Sequence, residues 1–146
     1  VANDNEKGVP RMRPASQKVK KRLNNLLNSA ISNLKDMDIA SDLYNSQMRG
    51  ICSEFREIVE QSIEEILMCN ITSRFQREIH STRIKKLKEV TAEDCDTIDK
   101  FMSKYSESQH SQSTETPMIL PGVNELSQDI SSFLNWAIEA KSRLVG

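Results

Sequence analysis

The chain has 146 residues, of which 28% are charged, 37% hydrophobic and only 5% aromatic, and its formal net charge is −1. That length suits one domain, and four Phe, two Tyr, one Trp, four Gly and four Pro are too few for the strands and turns of a sandwich or barrel. A balanced charge supplies no global basic field of the kind that marks a nucleic-acid binder.

Residues 1–15 are polar and carry Gly8, Pro10 and Pro14, which predicts a disordered or extended basic N-terminal stretch. Pro14 and Ser16 then mark a helix start, with the Ser16 hydroxyl as N-cap. Apolar residues follow at Val19, Leu23, Leu26, Ala30, Leu34 and Met37, a helical spacing of 4-3-4-4-3. Asp36, Asp38 and Ser41 predict a break within 36–41, with Asp38 or Ser41 restarting the helix.

From 41 to 90 there is no proline and a single glycine, Gly50. The run reads as a long central helix, bent at Gly50, where glycine costs roughly 1 kcal/mol relative to alanine. Fifty helical residues span about 75 Å, against roughly 30–40 Å for a compact domain of this size. Either the helix breaks or the molecule is elongated. Ile51, Phe55, Val59, Ile63, Leu67, Ile71, Phe75 and Ile79 recur every four residues. Each such step advances about 40° around a helix, so this stripe wanders, with Ile58 and Ile66 widening it. A two-stranded zipper needs alternating threes and fours; a wandering stripe predicts a bundle whose neighbours cover successive faces.

Thr91-Ala92-Glu93-Asp94 resembles a capping box with Asp in place of Glu. It opens a segment with Cys95, Ile98, Phe101 or Met102, and Tyr105 on one side, read either as a separate helix or as a continuation of the long one. Residues 106–122, rich in Ser, Gln and Thr and punctuated by Pro117 and Pro121-Gly122, predict a loop. The last segment, 123–146, is the clearest helix. Val123, Leu126, Ile130, Phe133, Ala137, Ala140 and Leu144 alternate threes and fours through three heptads, so one seam persists. Trp136 stands beside it, placed to cover a bundle edge or to serve as a partner contact.

Charge comes in blocks of alternating sign. Residues 1–22 hold seven bases against Asp4 and Glu6, and residues 53–65 hold five Glu against Arg56. Residues 74–88 hold six bases against Glu78, and 89–99 hold five acids and no base. Opposed blocks beside apolar seams suit helix pairing.

No catalytic, cofactor or metal motif emerges. His80 and His110 stand alone, without a partner at ligand spacing. Cys52, Cys69 and Cys95 are odd in number and fit neither zinc nor disulfide spacings; reduced, mostly buried thiols in an intracellular protein are the expectation. No run of about 18 apolar residues predicts a membrane span. Lys18, Lys20, Lys21 and Arg22 fit a nuclear-import patch or a phosphate contact, but no aromatic beside them offers base stacking. Five Ser-Gln dipeptides occur where random order of 18 Ser and 7 Gln gives about one. Such clusters resemble substrates of DNA-damage checkpoint kinases. Ser108 and Ser111 lie in the expected loop, and Ser16 follows Arg11 and Arg13 in a pattern that resembles a basophilic-kinase site.

The sequence therefore predicts an all-α chain: an elongated helical bundle or coiled coil, one helical domain over 16–146. The expected role is a non-enzymatic assembly module that binds itself or another protein, within a nuclear scaffold of the chromosome-associated type, such as a meiotic axis or kinetochore. No cofactor, small molecule or membrane is expected, and direct DNA binding is the weaker reading. The expected interface is the last-helix seam (Val123, Leu126, Ile130, Phe133, Ala137, Leu144) and the stripe from Ile51 to Ile79. A secreted four-helix signalling protein and a helical nucleic-acid-binding domain are the alternatives.

Overall fold

The computed structural model describes residues 18–68, 85–110 and 120–145. Among them every regular element is helical, and no strand occurs. Helix α1 runs through Val19–Asn25, a π turn at Leu26–Ala30 and Ile31–Leu34 without leaving helical backbone. Helix α2 is Asp42–Ser62 followed by a second π turn, Ile63–Leu67. A 3-10 turn covers Lys85–Glu89. Helix α3 is Ala92–His110 and helix α4 is Val123–Leu144.

Local chemistry sets several of these boundaries. Ser41 is the N-cap of α2, its hydroxyl accepting from the Tyr44 amide at 3.1 Å. The same hydroxyl donates to the Asp38 carbonyl, and the Asp38 carboxylate accepts from the Ala40 amide. These bonds close the break between α1 and α2. At α3, the Thr91 hydroxyl accepts from the Asp94 amide at 3.1 Å, and the Asp94 carboxylate accepts from the Thr91 amide at 2.9 Å. This is a reciprocal capping box built with the shorter acid.

The sequence-based expectation of one helix from 41 to 90 needs correction. The helix ends at the π turn, where Met68 donates its amide to the Ile63 carbonyl across five residues. Val90 and Thr91 are not helical, so α3 is a separate element. Gly50 neither bends nor interrupts α2; it is exposed inside continuous helix. Likewise 106–110 are the last residues of α3 and not the start of a loop. No residue there breaks a helix, and the Ser106 hydroxyl donates back to the Met102 carbonyl while accepting from Arg56 Nε on α2. The N-terminal stretch with its expected cap Ser16, and also Cys69, Ile71, Phe75, Ile79, His80 and Ser111, lie outside the described residues.

The wandering stripe of α2 is a second correction. Met48, Cys52, Phe55, Val59, Ser62 and Ile66 are all buried, stepping 4-3-4-3-4, which keeps one face inward. Counting apolar letters alone missed it, because Cys52 and Ser62 hold seam positions. Ser62 is tolerated there because its hydroxyl donates to the Val59 carbonyl at 2.6 Å. Ile63, on the expected stripe, is only half-buried, whereas Ile58 and Ile66 are core residues.

Side-chain pairs give the packing directions. Lys104 and Tyr105 meet Asp129, Phe101 meets Phe133, and Asp94 meets Trp136 and Arg143, so α3 and α4 are antiparallel. Phe55 meets Phe133 and Glu65 meets Lys141, so α2 and α4 run the same way. Arg22 reaches Glu54, Glu57 and Gln61, and Val19 reaches Glu65, so α1 returns antiparallel to α2. All four helices share one core. At its centre the Phe55 ring meets Phe101, Tyr105 and Phe133 edge-on, with centroids 5.0–5.8 Å apart. Each such pair adds roughly 0.5–1.5 kcal/mol beyond area burial.

The polar contacts around this core join elements far apart in sequence. Lys104 Nζ lies 2.6 Å from Asp129 and 2.5 Å from Glu125. Burial works against the Lys104 charge, but these two carboxylates outweigh it and raise its pKa. Tyr105 donates its hydroxyl to Asp129 at 2.6 Å, and burial, with the adjacent carboxylate, pushes its pKa far up. Asp94 accepts from Trp136 Nε1, from both terminal nitrogens of Arg143 and from Thr91. Burial alone would raise its pKa; the hydrogen bonds and the Arg143 charge prevail and hold it at about 2. Trp136 thus sits where an edge-covering residue was expected, stacked at 5.1 Å on Phe133 and tied to the start of α3.

Candidate docking groove

One end of the molecule gathers the first turn of α1, the π turn of α2 and the last two turns of α4. Between them lies an open groove of about 400 Å³, within the size range of small-ligand pockets. Val19, Ile66, Ala137, Ile138 and Val145 supply its apolar lining, and Lys20, Lys141 and Ser142 its polar lining. Ile138 is 45% exposed. It projects from α4 one residue past the seam, where no described helix covers it.

Glu65 is the buried polar residue of this groove. It is one heptad beyond Ile58 and two beyond Ile51, in the same column of α2, and it is only 8% exposed. Its Oε1 accepts from the Val19 amide at 3.4 Å and from Gln61 Nε2 at 3.2 Å. The Val19 amide belongs to the first turn of α1, whose N-cap residue Lys18 makes no side-chain capping bond. An acid from α2 therefore serves the positive end of α1. The other oxygen, Oε2, is buried and has no hydrogen-bond donor among the described residues. Lys141 Nζ stands 3.6 Å from it, an ion-pair distance beyond good hydrogen-bond geometry.

The residues expected to form an interface between chains occupy other places. Leu126, Ile130, Phe133, Ala137 and Leu144 are buried against this chain's own helices, as are Ile51, Phe55, Val59 and Leu67. Val123 and Ile63 are half-buried at the edges. The seam is satisfied within one chain, because α2 and α4 present matching apolar faces to each other and to α1 and α3. Of these residues only Ala137 also lines the groove.

The basic cluster divides. Lys18, Lys20 and Lys21 are exposed, but Arg22 is 7% exposed. Its guanidinium donates to Gln61 at 2.7 Å and lies 3.7 and 3.8 Å from Glu54 and Glu57. Arg22 is thus withdrawn from the expected patch, because the α1–α2 pairing places it over the acidic block of α2. Ser108 lies within α3, not in a loop; Ser46 is exposed on α2 and Ser127 half-buried on α4. Cys52 is buried and Cys95 exposed. No group of metal-ligating side chains gathers among the described residues, and none of their helices is long and apolar enough to cross a membrane.

No protein-family model matches the sequence, and no curated protein or solved structure matches it significantly.

The groove residues Glu65, Ile138, Lys141 and Val145 were not singled out by sequence reasoning. Only Glu65 left a usable trace: a charged residue at the heptad position after Ile51 and Ile58.

Proposed function

We propose that this chain is a non-enzymatic interaction and assembly module, a helical bundle that docks a polypeptide segment in the groove between α1, α2 and α4. The observation that carries this reading is the groove itself. The other seams of the fold are filled from within, whereas this end keeps an apolar wall and a half-exposed Ile138 uncovered by the described helices. Interfaces combine such an apolar centre with a polar rim. Placement in a nuclear, chromosome-associated scaffold belongs to the same proposal, and the exposed Lys18, Lys20 and Lys21 support it as an import patch.

Selection from a random peptide display library tests the reading. Wild-type protein serves as bait and a folded Ile138→Glu variant as counter-bait. Enriched peptides should bind the wild type at least tenfold more tightly than the variant. A library that yields no binder, or only binders indifferent to Ile138→Glu, overturns it.

A further inference from the structure

We infer that the occupant of the groove is a second copy of this chain, which seats Ile39 and Leu43 there, so that molecules join head to tail. This rests on the groove being a polypeptide site and names its partner. The first observation is where apolar surface is left over. Among the described residues Ile39, Leu43 and Ile138 are the most exposed large hydrophobic side chains, at 71%, 60% and 45%. Exposed apolar side chains gathered in one place mark association sites. Ile138 lines the groove, whereas Ile39 and Leu43 stand on the turn between α1 and α2. About 35 Å of helix separates Leu43 from Ile66, at ~1.5 Å per residue. The turn and the groove therefore lie at opposite ends, and a chain cannot fill its own groove with its own turn.

The second observation is charge. Asp36, Asp38 and Asp42 flank the apolar pair in sequence and are exposed, with Lys35 the one base among residues 35–43. At the other end Lys20 and Lys141 line the groove, and Lys18 and Lys21 stand exposed beside it. The one carboxylate of its lining, Glu65, is buried and faces Lys141. Opposite charge steers the acidic turn onto the basic groove and fixes which end meets which. Groove against groove brings lysines together, and turn against turn brings aspartates together. The third observation is readiness. The Ser41 hydroxyl joins the Asp38 carbonyl to the Tyr44 amide, and the Asp38 carboxylate holds the Ala40 amide. The turn is thus fixed before contact, so seating it costs little ordering entropy. A groove of about 400 Å³ takes two aliphatic side chains. A contact between two different surfaces leaves each copy one free end, so the assembly grows or closes into a ring.

Sedimentation velocity over a concentration series tests the inference, with circular dichroism to show that each variant is folded. The wild type should form a series of oligomers that shifts to smaller species at high salt. Leu43→Glu and Ile138→Glu, both at exposed positions, should each weaken association at least tenfold, and Ile39→Glu serves as a second variant of the turn. Mixed one to one, Leu43→Glu and Ile138→Glu should form a dimer and nothing larger, since one keeps the groove and the other keeps the turn. A wild type that stays monomeric overturns the inference. So does a Leu43→Glu variant that associates like the wild type, or a mixture of the two variants that stays monomeric. A monomeric wild type that still selects Ile138-dependent peptides leaves the groove a polypeptide site with another occupant; the absence of both overturns the two readings together.

Discussion

Asp94 offers the sharpest test of how this fold is held. Its side chain is almost fully buried and accepts four hydrogen bonds: from Thr91 at 2.9 Å, Trp136 at 3.0 Å and Arg143 at 2.8 and 3.1 Å. It closes the α3 capping box and ties the start of α3 to the end of α4. In Asp94→Ala the cap loses about 1 kcal/mol, and the Trp136 N–H and one edge of Arg143 lose a charged acceptor. Arg143 keeps Glu139 and the Glu89 carbonyl, so its loss is partial. The combined cost is about 3 kcal/mol, less than the sum of separate deletions because the bonds form one network. In a chain of this size that lowers Tm by roughly 10 °C.

The pH dependence isolates the electrostatic share. The folded pKa of Asp94 is depressed from 3.8 to about 2. A depressed acid stabilises the fold above its unfolded pKa and loses that contribution as pH falls through the folded value. A shift of this size corresponds to about 2 kcal/mol at neutral pH. About half should remain at pH 3 and little at pH 2. Urea unfolding followed by circular dichroism, on wild type and variant at pH 7, 4, 3 and 2, measures it. The gap between them should be constant from pH 7 to near 5 and shrink below 4. A gap under 1 kcal/mol at pH 7, or one that does not shrink on acidification, refutes the assigned role.

Other expectations follow from single contacts. Gly50→Ala should stabilise by about 0.5–1 kcal/mol in chemical denaturation, because the glycine lies inside α2 and an added Cβ meets nothing within 4 Å. Tyr105→Phe removes the hydroxyl bond to Asp129 but leaves that carboxylate on Lys104; a loss of about 1–2 kcal/mol by urea titration is expected. Phe133→Glu buries a charge among Phe55, Phe101 and Trp136, at a cost comparable to the whole stability of a domain. Circular dichroism should show loss of cooperative melting, not a folded chain of altered mass.

Much of the helical plan was legible residue by residue. The α4 heptad, the Ser41 cap and the Thr91–Asp94 box each depend on neighbours within four positions. Short-range hydrogen-bond geometry and the 3.6-residue period are properties of the chain itself, so they can be read without knowing the fold. Burial on α2 was less legible, because Ser62 and Glu65 are polar letters at seam positions. Their acceptability depends on bonds to the Val59 carbonyl and to the Val19 amide of another helix.

Composition and periodicity by themselves determined an all-α chain, where two of its helices begin, and which face of α4 is apolar. Periodicity states that a face must be covered and is silent on what covers it. That choice was made by contacts between residues 39 to 76 positions apart: Arg22 with Gln61, Trp136 with Asp94, Arg143 with the Glu89 carbonyl and Lys141 with Glu65. Tertiary structure alone decided that the seams close within one chain, that Arg22 leaves the basic patch, and that Glu65 is buried between the α1 N-terminus and Lys141. A side chain's surroundings are set by helices that sequence distance separates and packing brings together.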